Sequence, residues 1–357
     1  MQSSSTPARW HLARARARAY ARSLARSLAR SLALALPLVA LGAAAQWRPS
    51  TPAQQALDAA AFQGVNETIA ERFTDVQSVV VAQGGRLVYQ YWRDGNPDAL
   101  RDVHSVMKSA LSTLAGIAVA QGRIASLDQP VVALMPEWAA LNTDPRAQAI
   151  TVRHLLTMSA GFAVDDPTGT RPAGRPRDAW ARPLAHAPGQ AFAYDNALIP
   201  VLASVLEKAV GMPVADYTRE QLVVPLGLHE PRYQRGVGMR TEDMARLGQL
   251  FLQNGVWDGR QVVPASFVAQ ATTAQNAGGL PASLPYGYMW WVVPSKAARP
   301  TFMAAGYGGQ FIWVHPPMEL VMAVTSNVSA DPARHGQSLQ LIRGALFAAA
   351  QKREQDK

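Results

Sequence analysis

The sequence predicts an α+β fold, in which helices flank an antiparallel sheet and an all-helical lobe is inserted into the chain. Three observations lead to this prediction. Short β-prone runs occur early in the chain, amphipathic helical patterns with Pro- and Gly-rich loops fill the middle, and β-prone runs return before the end. We therefore expect an α/β lobe formed by about 46–104 and 285–357, and a helical lobe formed by about 105–284.

The first part of this body predicts a helix followed by a β-hairpin. Apolar residues recur at roughly helical spacing over 52–72. Two β-prone runs follow at 77–82 and 87–92, with the pair Gly84-Gly85 between them. Two adjacent glycines suit a tight antiparallel turn because glycine tolerates positive φ.

The middle of the chain predicts helices and one long loop, and the end predicts strands and a closing helix. The expected helices of the middle lie at 105–120, 198–210 and 241–253, and a Pro-, Gly- and Arg-rich surface loop at 166–188. The expected strands lie at 288–293, 301–305, 310–315 and 320–325, and the closing helix at 337–351.

The formal net charge of +9 on 357 residues invites a nucleic-acid interpretation until the charges are located. Residues 1–45 hold seven arginines and neither Asp nor Glu, so the other 312 residues carry only about +2. No basic stripe with interleaved aromatic residues remains, and we expect no nucleic-acid partner. The content of 48% hydrophobic and 17% charged residues indicates a globular body, and the lack of cysteine excludes disulfides and a thiolate nucleophile.

Residues 1–45 predict a targeting segment. A basic region precedes an uncharged apolar run from Leu32 to Ala45, and the run ends on three alanines. This order is typical of a secretory signal peptide or an N-terminal anchor. A transit peptide and a wrongly assigned start are the alternatives. We therefore expect an exported protein, periplasmic or secreted, which contacts a membrane only through this segment if the segment is retained.

The tetrapeptide Ser105-Val106-Met107-Lys108 is the strongest candidate for chemistry. Residues i and i+3 share one helix face, so the Ser105 hydroxyl and the Lys108 amine would lie within reach of each other. A serine needs a base to become a nucleophile, and a desolvated lysine can lose its proton and serve as that base. Among the five lysines, only Lys108 has a serine three residues before it. The alternative is a chance Ser-x-x-Lys on a solvated helix.

The tripeptide Tyr194-Asp195-Asn196 precedes a predicted helix and is a second candidate. A tyrosinate-like oxygen of Tyr194 beside a lysine cation could relay a proton from the serine to the leaving group. The Asn196 amide could bind a substrate carbonyl. The alternative is a half-buried loop tyrosine, with Asp195 or Asn196 as the N-cap of the helix.

The glycine-rich segment Gly306-Tyr307-Gly308-Gly309-Gln310 leads into a predicted strand and is the third candidate. Glycines at a strand entry would let a substrate approach the backbone closely. A plain hairpin turn is the alternative.

The order of these three segments resembles that of the serine β-lactamase and penicillin-binding-protein superfamily. More narrowly, the chain is similar to the class C β-lactamase-like serine hydrolases, which include family VIII esterases, 6-aminohexanoate-dimer hydrolases and D-aminopeptidase-type enzymes. The resemblance extends over about residues 60–350. The stretches that carry it further are 104–109, 126–131, 150–161, 188–190, 286–291 and 306–310.

The resemblance implies a β-lactamase/transpeptidase-like fold with a cleft between the two lobes. It implies Ser105 as the acylated nucleophile and Lys108 and Tyr194 as the general base and acid. The oxyanion would be held by the backbone N–H groups of Ser105 and Gln310. The implied substrate contacts are Asn196, Tyr307, Gly309 and Gln310.

One departure from the family pattern concerns the third segment. Relatives carry Lys-Thr-Gly there, or a histidine in many esterase-like members, whereas this chain has Tyr307-Gly308-Gly309. The cation that would bind a substrate carboxylate is missing, so we expect neutral esters or amides as substrates. Tyr307, Trp290 and Trp291 could line an apolar pocket, although adjacent strand residues face opposite ways and one tryptophan would then lie in the core.

Other classes of function have less support. The seven histidines show no metal-ligand spacing, no cofactor motif is present, and a Gly-x-Ser-x-Gly elbow is absent. The remaining alternatives are a β-lactamase or D-alanyl-D-alanine carboxypeptidase-type activity, and a non-catalytic protein that binds cell-wall fragments on the same scaffold. Because Ser105, Lys108 and Tyr194 are all present, we expect a serine hydrolase that acts on a small ester or amide through an acyl-enzyme.

Overall fold

The computed structural model describes residues 47–164, 166, 173–234 and 236–356. The predicted leader, residues 1–45, lies outside the described residues, and export stays a prediction. The helices are α1 (Pro52–Ala61), α2 (Val65–Arg72), α3 (Met107–Ala120), α4 (Val131–Leu134), α5 (Val152–Leu156), α6 (Pro176–Trp180), α7 (Leu198–Val210), α8 (Val214–Thr218), α9 (Val224–Leu226), α10 (Thr241–Leu252), α11 (Ala265–Ala271), α12 (Gln337–Leu341) and α13 (Phe347–Gln355). The strands are β1 (Val76–Gln83), β2 (Arg86–Trp92), β3 (Arg101–Asp102), β4 (Gly238–Met239), β5 (Val256–Trp257), β6 (Arg260–Gln261), β7 (Asn276–Gly279), β8 (Leu284–Tyr286), β9 (Trp291–Val293), β10 (Thr301–Gly306), β11 (Gln310–His315) and β12 (Leu320–Ser326).

Both ends of the described chain contribute to one eight-stranded sheet, in the order β2-β1-β12-β11-β10-β9-β8-β7. Each neighbouring pair in this order is antiparallel. Strand β1 pairs with β12, which joins the beginning of the body to its end. The predicted antiparallel sheet flanked by helices is confirmed.

Local backbone conformation explains where the predicted elements hold and where they break. The β1–β2 hairpin turns at Gly84 and Gly85, both at positive φ, as the sequence predicts. The predicted helix over 52–72 is two helices, because Gly64 adopts φ 80° between them. Part of the predicted loop at 166–188 is the short helix α6, whose Trp180 is fully buried.

Strand β9 is shorter than the predicted strand at 288–293. Met289 adopts φ 58°, and its N–H donates to the Leu156 carbonyl oxygen at 3.0 Å. The Tyr288 N–H donates to the Ala271 carbonyl oxygen at 3.1 Å. Because these backbone groups bond to helical segments, the sheet ladder begins only at Trp291.

Part of the segment predicted as helical lobe, 105–284, belongs with the sheet. Helix α10 contacts β1, β11 and β12, and β7 lies within the sheet. A Cβ built on Gly248 of α10 would lie 2.7 Å from Ile312 and 2.8 Å from Val321. The helix therefore packs onto the sheet at a distance that only glycine allows at this position.

Helix α3 is fixed to the segment that precedes β9. The Ser109 hydroxyl donates to the Met289 carbonyl oxygen, and the Ser112 hydroxyl donates to the Tyr288 carbonyl oxygen, each at 2.7 Å. The N-terminal end of α3 is thereby held beside the sheet, and α3 also packs against α7. Within the described ranges, no single helix is long and apolar enough to cross a membrane; the pair Leu198–Val210 and Val214–Leu226 passes only in combination and is bent by 77°.

Candidate active site

Ser105 lies in a short 3-10 turn, His104–Val106, that leads directly into α3. The Val103 N–H donates to the Val237 carbonyl oxygen at 2.9 Å, which fixes the chain just before the turn. His104 adopts φ 46°, and its N–H donates to Asp102 Oδ1 at 3.0 Å. These bonds hold the half-buried Ser105 at the helix N-terminus, where backbone N–H groups stabilise negative charge.

Lys108 lies one helical turn beyond the serine and contacts it directly. Its Nζ donates a hydrogen bond to Ser105 Oγ at 2.6 Å, and its side chain is almost fully buried. Burial lowers the pKa of Lys108 to about 7, although the negative charge of Asp195 acts in the opposite direction. Near neutral pH, a substantial fraction of Lys108 is therefore unprotonated and can accept a proton from Ser105.

Tyr194 completes this arrangement from a distant part of the chain. Its buried side chain hydrogen-bonds with Ser105, and Lys108 Nζ lies 5.0 Å from the centre of its ring. Burial raises the pKa of Tyr194 to about 12, and the bond with Ser105 opposes this rise. This shift favours the protonated phenol at neutral pH, and the proton-relay role of Tyr194 stays a prediction. A neutral phenol can still donate a proton to a leaving group.

Asp195 stabilises the loop that carries Tyr194. Its Oδ1 accepts a hydrogen bond from the Ala197 N–H at 2.9 Å, and its Oδ2 pairs with the Arg182 guanidinium. The capping alternative is wrong, because the N-cap of the helix is Ala197 and no side chain caps it. Arg182 carried no sequence signal. Asn196 is half-buried at the start of α7. Its role as a substrate contact stays a prediction.

Tyr307, where the family resemblance leads us to expect a cation, is 48% exposed. Its ring lies between two histidines, with its centre 6.0 Å from that of His104 and 4.9 Å from that of His335, both in edge contacts. The sequence did not indicate His335 as a neighbour of Tyr307, because β11 and β12 lie between the two residues along the chain.

Gln310 and Gly309 have structural tasks in addition to the predicted substrate contacts. Gln310 Nε2 donates to the Ser326 carbonyl oxygen at 2.8 Å, and Gln310 Oε1 accepts from the Ser326 N–H at 3.0 Å. Gln310 Nε2 also donates to the Tyr307 carbonyl oxygen at 3.3 Å, so the Gln310 side chain is engaged within the protein. Gly309 adopts φ 102°, and a Cβ there would lie 2.8 Å from Ser338 Oγ. Glycine is thus required by packing against α12, whatever the substrate.

The expectation that Trp290 and Trp291 line an apolar pocket is wrong, because their exposed fractions are 0% and 3%. Trp290 packs on Phe251 of α10 and Phe302 of β10, with ring centres 4.7 Å and 5.3 Å away. Trp291 faces the other way and stacks on Tyr194, with ring centres 5.8 Å apart and planes 20° apart. Trp290 precedes β9 and Trp291 begins it, and both side chains lie inside the protein.

The comparisons with known proteins identify the family and the fold. Residues 65–346 match the family described as Beta-lactamase. The chain belongs to the β-lactamase family.

Two curated relatives of this β-lactamase-family chain are named hydrolase or esterase. The 6-aminohexanoate-dimer hydrolase of Paenarthrobacter ureafaciens is 25% identical over 343 residues, which cover 85% of this chain and 86% of that protein. Esterase EstB of Burkholderia gladioli is 29% identical over 178 residues, 42% of this chain and 45% of that protein. The structure of a putative 6-aminohexanoate-dimer hydrolase from Bacillus anthracis shares the fold, with a TM-score of 0.66 at 19% identity, over 81% of this chain and 82% of that one. The chain is a serine hydrolase.

Proposed function

We propose that this β-lactamase-family protein hydrolyses small neutral carboxylic esters or amides through an acyl-enzyme on Ser105. The observation that carries the proposal is the 2.6 Å contact between Ser105 Oγ and the buried Lys108 Nζ. A nucleophile and a desolvated base within hydrogen-bond reach are the two parts that such catalysis needs. The names of the two curated relatives support hydrolysis of esters or amides.

In the proposed acylation step, neutral Lys108 takes the proton of Ser105 as Oγ bonds to the substrate carbonyl carbon. The carbonyl π electrons move to oxygen, and the backbone N–H groups of Ser105 and Gln310 are the proposed donors to that oxyanion. As the intermediate collapses, the bond to the leaving alcohol or amine breaks, and the Tyr194 hydroxyl donates a proton to it. The tyrosinate that remains takes up the proton that Lys108 removed from Ser105, so both groups return to their starting forms; Lys108 Nζ lies over the Tyr194 ring. Water attacks the acyl-enzyme by the same path in reverse, gives the acid and restores Ser105.

The preference for neutral substrates rests on Tyr307. A lysine at this position would offer a charge-assisted hydrogen bond to a carboxylate, which contributes about 1.5–3 kcal/mol. The half-exposed phenol of Tyr307 offers a neutral donor. β-Lactams and D-amino-acid peptides carry a carboxylate, so they are the second choice. A purely binding role is disfavoured because Ser105, Lys108 and Tyr194 are in contact.

The first test compares substrates. Wild-type enzyme should turn over p-nitrophenyl esters of short acids faster than nitrocefin, which carries a carboxylate. Tyr307→Lys should raise kcat/KM for nitrocefin relative to the ester by about tenfold, since a charged hydrogen bond is restored. Tyr307→Gln, which removes the ring without adding charge, is the control. Faster hydrolysis of nitrocefin by the wild type would contradict the neutral-substrate proposal.

The contact between β10 and the nucleophile turn depends on Gly306. A Cβ at this position would lie 2.5 Å from the Val103 carbonyl oxygen and 3.0 Å from Gln310 Cβ. The first neighbour is backbone, so a side chain cannot fit unless the strand or the turn moves. Such a movement would separate the two proposed oxyanion donors.

Gly306→Ala should lower the free energy of unfolding by about 1–3 kcal/mol, as overpacking does. It should also slow covalent labelling of Ser105 by a fluorophosphonate by about 10- to 100-fold, because small displacements of reacting groups are costly. Gly344→Ala is the matched control, since a Cβ there meets no atom within 4 Å. Urea unfolding and the labelling rate check both expectations, and equal behaviour of the two variants would contradict them.

A further inference from the structure

Trp291 lies directly behind the proposed catalytic tyrosine. It belongs to a buried group that we name the Tyr194 aromatic cluster: Phe192, Tyr194, Tyr286 and Trp291. Trp291 stacks nearly parallel on Tyr194, and its ring centre lies 4.6 Å from that of Tyr286 and 5.9 Å from that of Phe192. Its backbone is fixed at the start of β9, where it pairs with both Met303 and Tyr286. The indole is therefore held rigidly, and it restrains the phenol ring that lies on it.

The Tyr194 ring in turn covers Lys108. The groups around Lys108 that carry charge or a titratable proton are the Ser105 hydroxyl, the Tyr194 phenol and the Asp195 carboxylate, which pairs with Arg182; Tyr286 lies behind Tyr194. Asp195 favours the charged ammonium form of Lys108. The neutral form that a base requires therefore depends on exclusion of water, to which the Tyr194 ring contributes.

We propose that Trp291 is a positioning residue for catalysis: its indole holds the Tyr194 ring against Ser105 and over Lys108, and so keeps water away from the amine. The inference rests on the proposed function, since it assigns Lys108 the role of base. Trp291 touches neither reacting atom and acts through Tyr194. A tryptophan that only filled the core would contribute to stability and leave the proton equilibrium of Lys108 unchanged.

The adjacent residue offers a matched control. Trp290 is the same residue type, is also buried, and its ring packs on Phe251 and Phe302. Trp290→Leu and Trp291→Leu each remove an indole from the interior, and both should lower Tm. The pH dependence of kcat/KM for a p-nitrophenyl ester should separate them.

For Trp291→Leu we expect kcat/KM at pH 7 to fall by about 10- to 100-fold, since the phenol loses its fixed position. We expect the acidic limb of the pH profile of kcat/KM to move to higher pH by about one unit in this variant, because water that reaches Lys108 stabilises the charged form. Trp290→Leu should keep the acidic limb of the wild type and a plateau rate within about threefold of it. Trp291→Phe, which keeps an aromatic ring against Tyr194, should recover most of the rate and the wild-type limb.

Equal shifts in the two leucine variants, or a Trp291→Leu variant with the wild-type rate and limb, would overturn the inference. If Trp291→Leu does not fold, its pH profile cannot be measured, and Trp291→Phe and Trp291→Tyr decide instead. Both variants keep an aromatic ring against Tyr194, so a displaced acidic limb in both would contradict the role of the ring. Failure of the proposed function is distinguishable, because a wild-type enzyme that a fluorophosphonate does not label at Ser105 removes both proposals. If the wild type is labelled at Ser105 but Trp291→Leu keeps the wild-type acidic limb, only the inference about Trp291 is contradicted.

Discussion

Ser105→Ala should abolish covalent labelling by a fluorophosphonate and lower ester hydrolysis by about 10⁴-fold or more, as removal of a nucleophile does in serine hydrolases. The physical reason is that no other group can form the acyl bond at this position. Lys108 would be left without its hydrogen-bond partner, and the fold should persist because Ser105 is only half-buried. Intact-protein mass spectrometry after labelling measures the result directly.

Ser109→Ala is the control for this experiment. Ser109 lies on the same segment, four residues beyond the nucleophile, and its hydroxyl donates to the Met289 carbonyl oxygen. Its loss should lower the free energy of unfolding by about 1 kcal/mol and leave labelling intact. A Ser105→Ala variant that still carries the label, or a Ser109→Ala variant that loses it while folded, would refute the assignment of the nucleophile.

Lys108→Arg should lower kcat/KM by about 10³-fold despite keeping the positive charge, because arginine does not deprotonate in proteins and cannot serve as a base. For the wild type, burial lowers the pKa of Lys108 to about 7. The neutral form is the active one, so kcat/KM should rise as pH rises through about 7. The variant should lack this limb. Steady-state kinetics on a p-nitrophenyl ester between pH 5 and 9, the range on either side of that pKa, check both expectations.

Two further variants make the lysine result specific. Lys108→Met, close in shape and without an amine, should be as inactive as Lys108→Arg, and its Tm should reveal any loss of fold. Lys208→Arg changes an exposed lysine in the last turn of α7 and should behave as wild type. An active Lys108→Arg enzyme with the wild-type acidic limb would rule out Lys108 as the base.

The parts of the site that follow from local geometry could be predicted from the sequence. The i, i+3 spacing of Ser105 and Lys108 already requires their side chains to share a face, and the structure brings them into contact. The β1–β2 hairpin was predictable for the same reason, since Gly84-Gly85 specify a tight turn by themselves. The break between the first two helices at Gly64 was not predicted, because the apolar periodicity continues on both sides of this glycine.

The parts that depend on distant contacts could not be predicted in this way. The resemblance to a known family paired Tyr194 with Ser105, but burial makes Tyr194 a protonated phenol, and no local pattern reports burial. The sequence placed Trp290 and Trp291 together on one predicted strand, whereas β9 begins only at Trp291, and no local pattern indicated that Trp291 would stack on Tyr194. Gly309 was predicted to leave space for a substrate, and the sequence did not indicate that its missing Cβ also makes room for Ser338.

By itself, then, the sequence determined the chemical groups and their short-range spacing: a serine one turn before a lysine, a tyrosine ahead of a helix, and a tyrosine where relatives carry a cation. Tertiary structure alone decided their proton states and their surroundings. The reason is that a pKa responds to the water and charge around a group, and packing between distant segments controls both. Lys108 illustrates the difference, because its position follows from spacing while its lowered pKa follows from burial.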